Sequence, residues 1–251
     1  MFSSADNITY KFWENLGIKS GMRVLEAGSS IGNLTIMLAE MAGPDGSVTG
    51  IDFDDKMLSI AQKKMEENKI TNVEFRKADL SKPLPFEDEQ FDVIAGRRIL
   101  MYLPNPGETV NNLARVLKRG GIIGFQEHDA TMMTHSIADM PLHEKVNRWM
   151  WETVEKEGGD IHTGYKLWNI LAQEGLAVEK VTAEAVVQTP NQPNNMTPII
   201  RAMMGRITKL NNITEEEIDI ETLDERLKKE MLETNTTFVK ELAFCGTAKK
   251  I

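Results

Sequence analysis

A short stretch near the amino terminus combines a buried strand, a tight turn of small residues and the start of a helix. It reads Val24-Leu25-Glu26-Ala27-Gly28-Ser29-Ser30-Ile31-Gly32-Asn33-Leu34-Thr35. A turn of glycine and serine lets the backbone come close to a ligand, because no large side chain stands in the way. The amides of the turn and the N-terminus of the helix then offer hydrogen-bond donors and the positive end of a dipole. The stretch therefore predicts an α/β fold with a nucleotide-type cofactor site at this turn.

The alternation of strands and helices continues along the chain. Strands are predicted over 23–27, 47–52, 72–77, 91–96 and 122–127, and helices around 7–16 and over 33–42, 55–68 and 111–118. Strands separated in this way form parallel sheets through right-handed crossovers. The pattern predicts a doubly wound, mostly parallel sheet.

The second half of the chain has a different texture. Helices are expected around 142–157, 164–174 and 199–210, and β-rich stretches over 177–188 and 237–248. A Pro/Asn-rich break occupies 190–195, and Thr214 and Glu217 have the spacing of a helix capping box. The Met-rich segment 196–204 and the Trp-rich helix around 149–151 are the natural walls of an acceptor pocket, or plain core.

Composition limits the classes of partner. The chain has 251 residues, a formal net charge of −9 and one cysteine, Cys245. The acidic balance argues against nucleic acid as a substrate, and a single cysteine fits a reducing compartment. With no long apolar run and no signal-like start, we expect a soluble cytoplasmic protein that binds no membrane.

The spacing of the turn bears on the cofactor. The dinucleotide fingerprint is G-x-G-x-x-G, whereas this chain has Glu26-x-Gly28-x-Ser30-x-Gly32. Asp52, at the end of the second strand, is placed to accept both hydroxyls of a ribose. That position fits a dinucleotide and any other cofactor that carries an adenosine, so it does not choose between them. The alternative role for Asp52 is that of a turn or helix-capping aspartate.

Three later segments follow the turn in a fixed order. Asn72–Leu80 places Asp79 just after the third strand, Phe86–Ile94 is an acidic loop that runs into the fourth, and Leu113–Gly121 closes a helix before the fifth. With the turn, this set resembles the class I S-adenosylmethionine-dependent methyltransferases over about residues 20–130. It is most similar to the small-molecule branch that includes the ubiquinone/menaquinone biosynthesis enzymes. The departures are Ser30 in place of a glycine and Arg119 in place of a proline.

The resemblance implies a Rossmann-like sheet of seven strands with an antiparallel last strand, and S-adenosyl-L-methionine as the cofactor. It also implies a helical lid over 1–19, a cofactor-binding core over 20–130 and an acceptor side over 131–251, with a helical insertion over about 190–235. Cofactor-binding roles fall on a larger set of residues: Tyr10, Glu26, Gly28, Ser29, Ser30, Asp52, Phe53, Met57, Ala78, Asp79, Leu80 and Arg97.

The amino-terminal aromatics have two interpretations. Tyr10, Phe12 or Trp13 could form a lid over the sulfonium, because aromatic faces attract cations. The alternative is that these side chains are a hydrophobic plug.

Candidate bases follow the fifth strand, where ligands of open α/β sheets bind. They are Glu127, His128 and Asp129. We favour His128 as the catalytic residue, because the pKa of histidine lies near neutrality. The alternative is that Glu127 and Asp129 bind nearby backbone and that His128 is a surface residue.

No metal site is expected, because His135, His143 and His162 lack ligand spacing. Together with this expectation, the resemblance implies metal-independent, in-line methyl transfer to the oxygen, nitrogen or carbon of a small organic acceptor. We expect a monomer or homodimer. The alternatives are a catalytically silent S-adenosylmethionine-binding regulatory protein and an NAD-dependent oxidoreductase.

Overall fold

The computed structural model describes residues 4–131, 136–192 and 196–251. The expected break at 190–195 and the position of His135 thus fall partly or wholly outside the described residues. The strands are β1 (Arg23–Ala27), β2 (Ser47–Asp52), β3 (Val73–Lys77), β4 (Phe91–Arg97), β5 (Leu117–Asp129), β6 (Leu176–Gln188) and β7 (Phe238–Lys250). The α-helices are α1 (Ser4–Asn15), α2 (Thr35–Ala42), α3 (Asp55–Glu67), α4 (Pro106–Val116), α5 (Pro141–Lys156), α6 (Thr163–Leu171), α7 (Thr197–Asn211), α8 (Glu215–Ile218) and α9 (Leu223–Thr234), and a 3₁₀ turn spans Leu100–Tyr102.

The seven strands form one sheet in the order β3-β2-β1-β4-β5-β7-β6. The pairs β1–β2, β2–β3, β1–β4 and β4–β5 are parallel, and the last strands are antiparallel. Val24 lies opposite Val48 on one side and Val93 on the other. The predicted doubly wound sheet is confirmed, and its order reverses between β1 and β4, where ligands of such folds bind.

Central strands are buried along most of their length because helices cover both faces. Four of the five residues of β1 are buried, as are five of the seven residues of β4. α3 buries Leu58, Ala61 and Met65 on one face, as their helical spacing predicts.

Two of the element boundaries that differ from the sequence prediction have a clear structural reason. α2 begins at Thr35 rather than Asn33, because Gly32 has a φ of +72°, which ends the turn in a left-handed conformation. α4 ends at Val116, and Leu117 already belongs to β5, where it is fully buried and pairs with Phe91 of β4. Burial against the sheet therefore outweighs helix propensity at this point.

The chain forms two compact units. The first comprises Ile8–Glu127, Thr163–Thr182 and Phe244–Ile251; the second comprises Met1–Asn7, His128–His162 and Ala183–Ala243. Within the second unit, α5 packs against α7 and α9, and Met140, Met231 and Phe238 form a buried cluster. The helices of the described ranges include none that is both long and apolar enough to cross a membrane.

The predicted capping box of α8 is confirmed. Glu217 donates its backbone N–H to the Thr214 hydroxyl, and the Glu217 carboxylate accepts from the Thr214 N–H. The pair satisfies two of the amides that a helix start leaves without partners.

Candidate functional site

A cavity of about 230 Å³ lies in the first unit, at the carboxyl ends of β1, β2 and β3 and beside the segment that follows β4. Six predicted cofactor residues line it: Gly28, Asp52, Phe53, Ala78, Asp79 and Leu80. Five further lining residues were not predicted: Ser81, Ile99, Tyr102, Leu103 and Pro104. An aromatic and a proline just beyond a parallel strand's carboxyl end were the available signal for this group.

The turn after β1 uses its amides within the protein. Gly28 and Ser29 both donate their N–H groups to the Ile51 carbonyl at 2.9 Å, and Gly32 donates to the Ser29 carbonyl at 2.9 Å. The expectation that this turn presents its amides to a ligand is therefore wrong for these residues. The turn instead supplies close backbone approach: a Cβ on Gly28 would lie 2.8 Å from Ile99 Cδ1, across the cavity wall.

Ser30 and Asp52 act together in the turn. Ser30 has a φ of +47°, in the region that glycine adopts freely and that costs other residues about 1 kcal/mol. Its N–H donates to Asp52 Oδ2 at 3.0 Å, and the Asp54 N–H donates to Asp52 Oδ1 at 3.0 Å. Asp52 thus holds the backbone of both turns while its carboxylate lines the cavity.

Phe53 and Asp79 give the cavity an apolar and an anionic wall. The Phe53 side chain is 71% exposed, which is unusual for a phenylalanine and leaves a ring face for a flat ligand. Asp79 Oδ1 accepts from the backbone N–H and the hydroxyl of Ser81, at 3.0 and 2.6 Å. These bonds and Lys82 keep the pKa of Asp79 below its usual range, so the carboxylate stays ionised.

Glu26 lies beneath the turn rather than in the cavity wall. It is fully buried, and Thr35 Oγ1 donates to its Oε2 at 2.6 Å. Burial, helped by the nearby charge of Asp52 and opposed by the Thr35 hydrogen bond, raises the pKa of Glu26 to about 7.

Glu127 supports the post-β4 segment, 98–104. Its Oε1 accepts the N–H groups of Ile99 and Leu100, both at 3.0 Å, while Oε2 is buried without a hydrogen-bond partner in the described part of the chain. Burial raises the pKa of Glu127 to about 7 despite these bonds. Ile99, which lines the cavity, thus has its backbone fixed by a carboxyl at the end of β5.

The other predicted cofactor residues do not line the cavity. These are Tyr10, Glu26, Ser29, Ser30, Met57 and Arg97, and their contacts with a cofactor stay predictions. Among the amino-terminal aromatics, Phe12 and Trp13 are buried, and a Cβ on Gly124 of β5 would lie 3.1 Å from the Phe12 ring. This packing favours the hydrophobic plug over the lid for these two side chains.

The three residues that end β5 take three different roles. Glu127 binds backbone amides of the post-β4 segment, and Asp129 Oδ1 accepts the Thr131 N–H at 2.7 Å. His128 is fully buried, with Nδ1 2.9 Å from Glu241 Oε1 within the second unit. The alternative interpretation is thus right for the two acids and wrong for the histidine, which is not on the surface.

The parallel sheet, the switch in strand order and the lined cavity define a Rossmann-like protein with a nucleotide-type cofactor site. A comparison with protein families identifies the family within this class. The methyltransferase-domain family model matches residues 18–202, and the chain belongs to that family.

Relatives agree with this assignment. The chain is 35% identical over 118 residues to the demethylmenaquinone methyltransferase of Lactobacillus johnsonii. The matched stretch covers 47% of this chain and 48% of that protein. It is 32% identical over 139 residues to the ubiquinone/menaquinone biosynthesis C-methyltransferase UbiE of Pseudomonas putida, over 52% and 54% of the two chains. The chain therefore spans about half the length of the curated relatives that it matches. The predicted resemblance to this branch is confirmed.

The whole chain also shares its fold with a solved structure, the YcgJ protein of Bacillus subtilis. The TM-score is 0.62 at 17% identity, over 98% of this chain and 97% of that one.

Proposed function

We propose that this protein transfers a methyl group from S-adenosyl-L-methionine to a small organic acceptor without a metal ion. The observation that carries the proposal is the cavity beside Gly28, with Asp52, Phe53 and Asp79 around it, at the motif with methyltransferase spacing. Bound S-adenosylmethionine supplies an activated methyl group on a sulfonium, and S-adenosylhomocysteine is left when that bond breaks.

The residues present fit this cofactor. We assign the Asp52 carboxylate to the ribose hydroxyls, the exposed Phe53 ring to the flat base and the ionised Asp79 to an amino group, and their positions in the cavity wall support this assignment. Gly28 lets the turn lie directly against the Ile99 side chain of the cavity wall, because a Cβ there would come within 2.8 Å of Ile99 Cδ1.

The hydrogen bonds of the turn also separate the two cofactor classes. A dinucleotide needs turn amides for its pyrophosphate, and here Gly28, Ser29 and Ser30 donate their amides to protein oxygens. This arrangement disfavours the oxidoreductase alternative, because S-adenosylmethionine has no phosphate to bind.

Titration calorimetry with S-adenosylmethionine, S-adenosylhomocysteine and NAD tests the cofactor assignment. We expect Asp52→Ala to weaken binding of both sulfur compounds more than tenfold, or about 1.4 kcal/mol. Asp54→Ala is the matched control, because Asp54 caps α3 by accepting the Lys56 N–H at 2.8 Å and does not line the cavity. Equal weakening in both variants would assign Asp52 a structural role, and tight NAD binding without binding of the sulfur compounds would refute the proposal.

His128 is the proposed base. When the acceptor is a hydroxyl or a protonated amine, its proton passes to the His128 imidazole as the new bond to the methyl carbon forms. We expect His128→Gln to lower kcat about 100-fold or more, with binding of S-adenosylhomocysteine unchanged. His162→Gln, a change at an exposed histidine of the same unit, is the control and keeps its activity.

A panel of phenols, amines and quinols, with demethylmenaquinone in reduced form among them, identifies the acceptor by release of S-adenosylhomocysteine. The quinol belongs in the panel because one relative is named a demethylmenaquinone methyltransferase and another a ubiquinone/menaquinone biosynthesis C-methyltransferase. Release without any acceptor-dependent increase would favour a binding protein over an enzyme.

We further propose that the protein works in the cytoplasm as a monomer or homodimer, without nucleic acid, which its net charge of −9 and single cysteine support.

A further inference from the structure

The second unit buries three ionisable side chains around one oxygen atom. Lys240 and Glu241, neighbours in β7, are 2% and 1% exposed, and His128 is fully buried. Glu241 Oε1 lies 2.9 Å from His128 Nδ1 and 3.4 Å from Lys240 Nζ. Neighbouring side chains of a strand normally point to opposite faces, so the Lys240 side chain has to fold back to reach this oxygen.

This arrangement contributes little net stability to the fold. Each buried ion loses several kcal/mol of hydration, and buried ion pairs contribute little to stability compared with apolar side chains of similar volume. The surrounding structure nevertheless holds the strand in place: Asn147 of α5, fully buried, donates Nδ2–H to the Lys240 carbonyl at 2.9 Å.

The geometry determines the proton positions on His128. A carboxylate only accepts hydrogen bonds, so Nδ1 carries the proton that faces Glu241. In neutral imidazole the lone pair is then on Nε2, the nitrogen to which the proposed role of His128 as base assigns the proton. With Lys240 positive and Glu241 negative, the trio has no net charge while His128 is neutral.

A second histidine–glutamate pair in the same unit provides a contrast. His143 Nδ1 lies 2.6 Å from Glu230 Oε2, but the Glu230 carboxylate also accepts the backbone N–H groups of Leu142 and His143, both at 2.9 Å. These amides belong to the first turn of α5, and the His143 ring packs on Phe238 with centroids 4.9 Å apart. The start of a helix accounts for this pair.

We propose that Glu241 is a positioning residue for the base: it fixes His128 in the Nδ1–H tautomer, and Lys240 balances the charge of the carboxylate that does so. The inference rests on the proposed role of His128 as base. It assigns supporting roles to a glutamate and a lysine of β7, more than 100 residues further along the chain.

The first test is the tautomer of His128 by long-range ¹H–¹⁵N spectroscopy of the full chain at neutral pH. The chain has four histidines, and His128→Gln assigns the signal. We expect the Nδ1–H tautomer in the natural chain and a mixture with Nε2–H in Glu241→Gln. In the control Glu230→Gln, the His128 signal keeps its natural form. An Nε2–H tautomer in the natural chain would overturn the inference even if no Glu241 variant folds.

The second test is kinetic, with the acceptor that the panel identifies. Glu241→Gln should lower kcat 10-fold to 100-fold with KM for S-adenosylmethionine within twofold, Glu241→Asp should restore part of the loss, and Glu230→Gln should keep kcat within twofold. Unchanged kcat and tautomer in Glu241→Gln would refute the positioning role while leaving His128 as base. Unchanged kcat in His128→Gln would instead refute the role of His128 as base, and the positioning role of Glu241 with it. The tautomer measurement would then still show whether His128 Nδ1–H donates to Glu241.

Discussion

Replacing Glu127 by Gln should remove a specific pH dependence from the stability of this protein. Glu127 is fully buried, its Oε1 accepts two backbone N–H groups, and its Oε2 has no hydrogen-bond partner in the described residues. Burial raises the pKa of this carboxyl to about 7, from 4.5 for an ordinary glutamate. The glutamine amide keeps an oxygen for both N–H groups and does not titrate.

The magnitude follows from linkage. Below pH 4.5 the carboxyl is protonated in the folded and unfolded chains alike. Between pH 4.5 and about 7 the folded chain keeps the proton that the unfolded chain has lost, so the free energy of unfolding falls as the pH rises. At about 1.4 kcal/mol per pH unit, the natural chain loses about 3 kcal/mol in total, more than half of it between pH 5 and pH 8.

The assay is urea unfolding of the cofactor-free protein, followed by circular dichroism at several values from pH 5 to pH 8. The amide NH₂ of Glu127→Gln occupies a buried position without a partner, and this penalty does not change with pH. We therefore expect the variant's free energy of unfolding to gain about 2 kcal/mol on the natural chain over this range. The titration of Glu26 occurs in both chains and cancels in the comparison.

Glu87→Gln is the matched control, because Glu87 is exposed. Its curve should run parallel to that of the natural chain. A difference between Glu127→Gln and the natural chain that stays constant within about 0.5 kcal/mol from pH 5 to pH 8 would refute the reasoning, since a fully solvated carboxyl gives that result.

Two further predictions compare matched positions. Gly120→Ala should lower the free energy of unfolding by about 1 kcal/mol and Gly28→Ala by at least about that amount, because both residues have φ near +80°. Only Gly28→Ala should weaken S-adenosylhomocysteine binding at least tenfold in calorimetry. A Cβ on Gly28 meets Ile99 of the cavity wall, whereas a Cβ on Gly120 has nothing within 4 Å; equal dissociation constants would contradict this. Arg115→Met should lose about 2 kcal/mol in urea unfolding, because the guanidinium donates to two backbone carbonyls at 2.8 and 2.9 Å. Asp88→Asn, which removes only its 74% exposed ion-pair partner, should lose less than about 0.5 kcal/mol, and similar losses in the two variants would point to the ion pair instead.

The sheet could be predicted from the sequence because its signals are local. Each central strand is a short apolar run between turn residues, and burial on both faces requires that composition. The capping box of Thr214 and Glu217 is equally local, since its two bonds join residues three apart. The end of α4 could not be predicted in this way, because it depends on the pairing of Leu117 with Phe91 of another strand.

The candidate site was predicted in part for the same reason. Gly28, Asp52 and Asp79 follow strands whose carboxyl ends meet at one edge of the sheet, so their approach follows from the topology. Ile99 and Tyr102 enter the cavity through a segment whose path depends on Glu127. The aromatic Tyr102 just beyond the carboxyl end of β4 was a signal for this segment, but the sequence does not show which of its side chains reach the cavity.

By itself, the sequence determined the doubly wound, mostly parallel sheet, the cofactor turn and the family, because periodicity and motif spacing are properties of neighbouring residues. Only the tertiary structure decided that the turn bonds its amides internally, that the pKa of Glu127 lies near 7 and that His128 faces Glu241. These properties depend on exclusion of water and on partners from distant parts of the chain, and both exist only once the chain has folded.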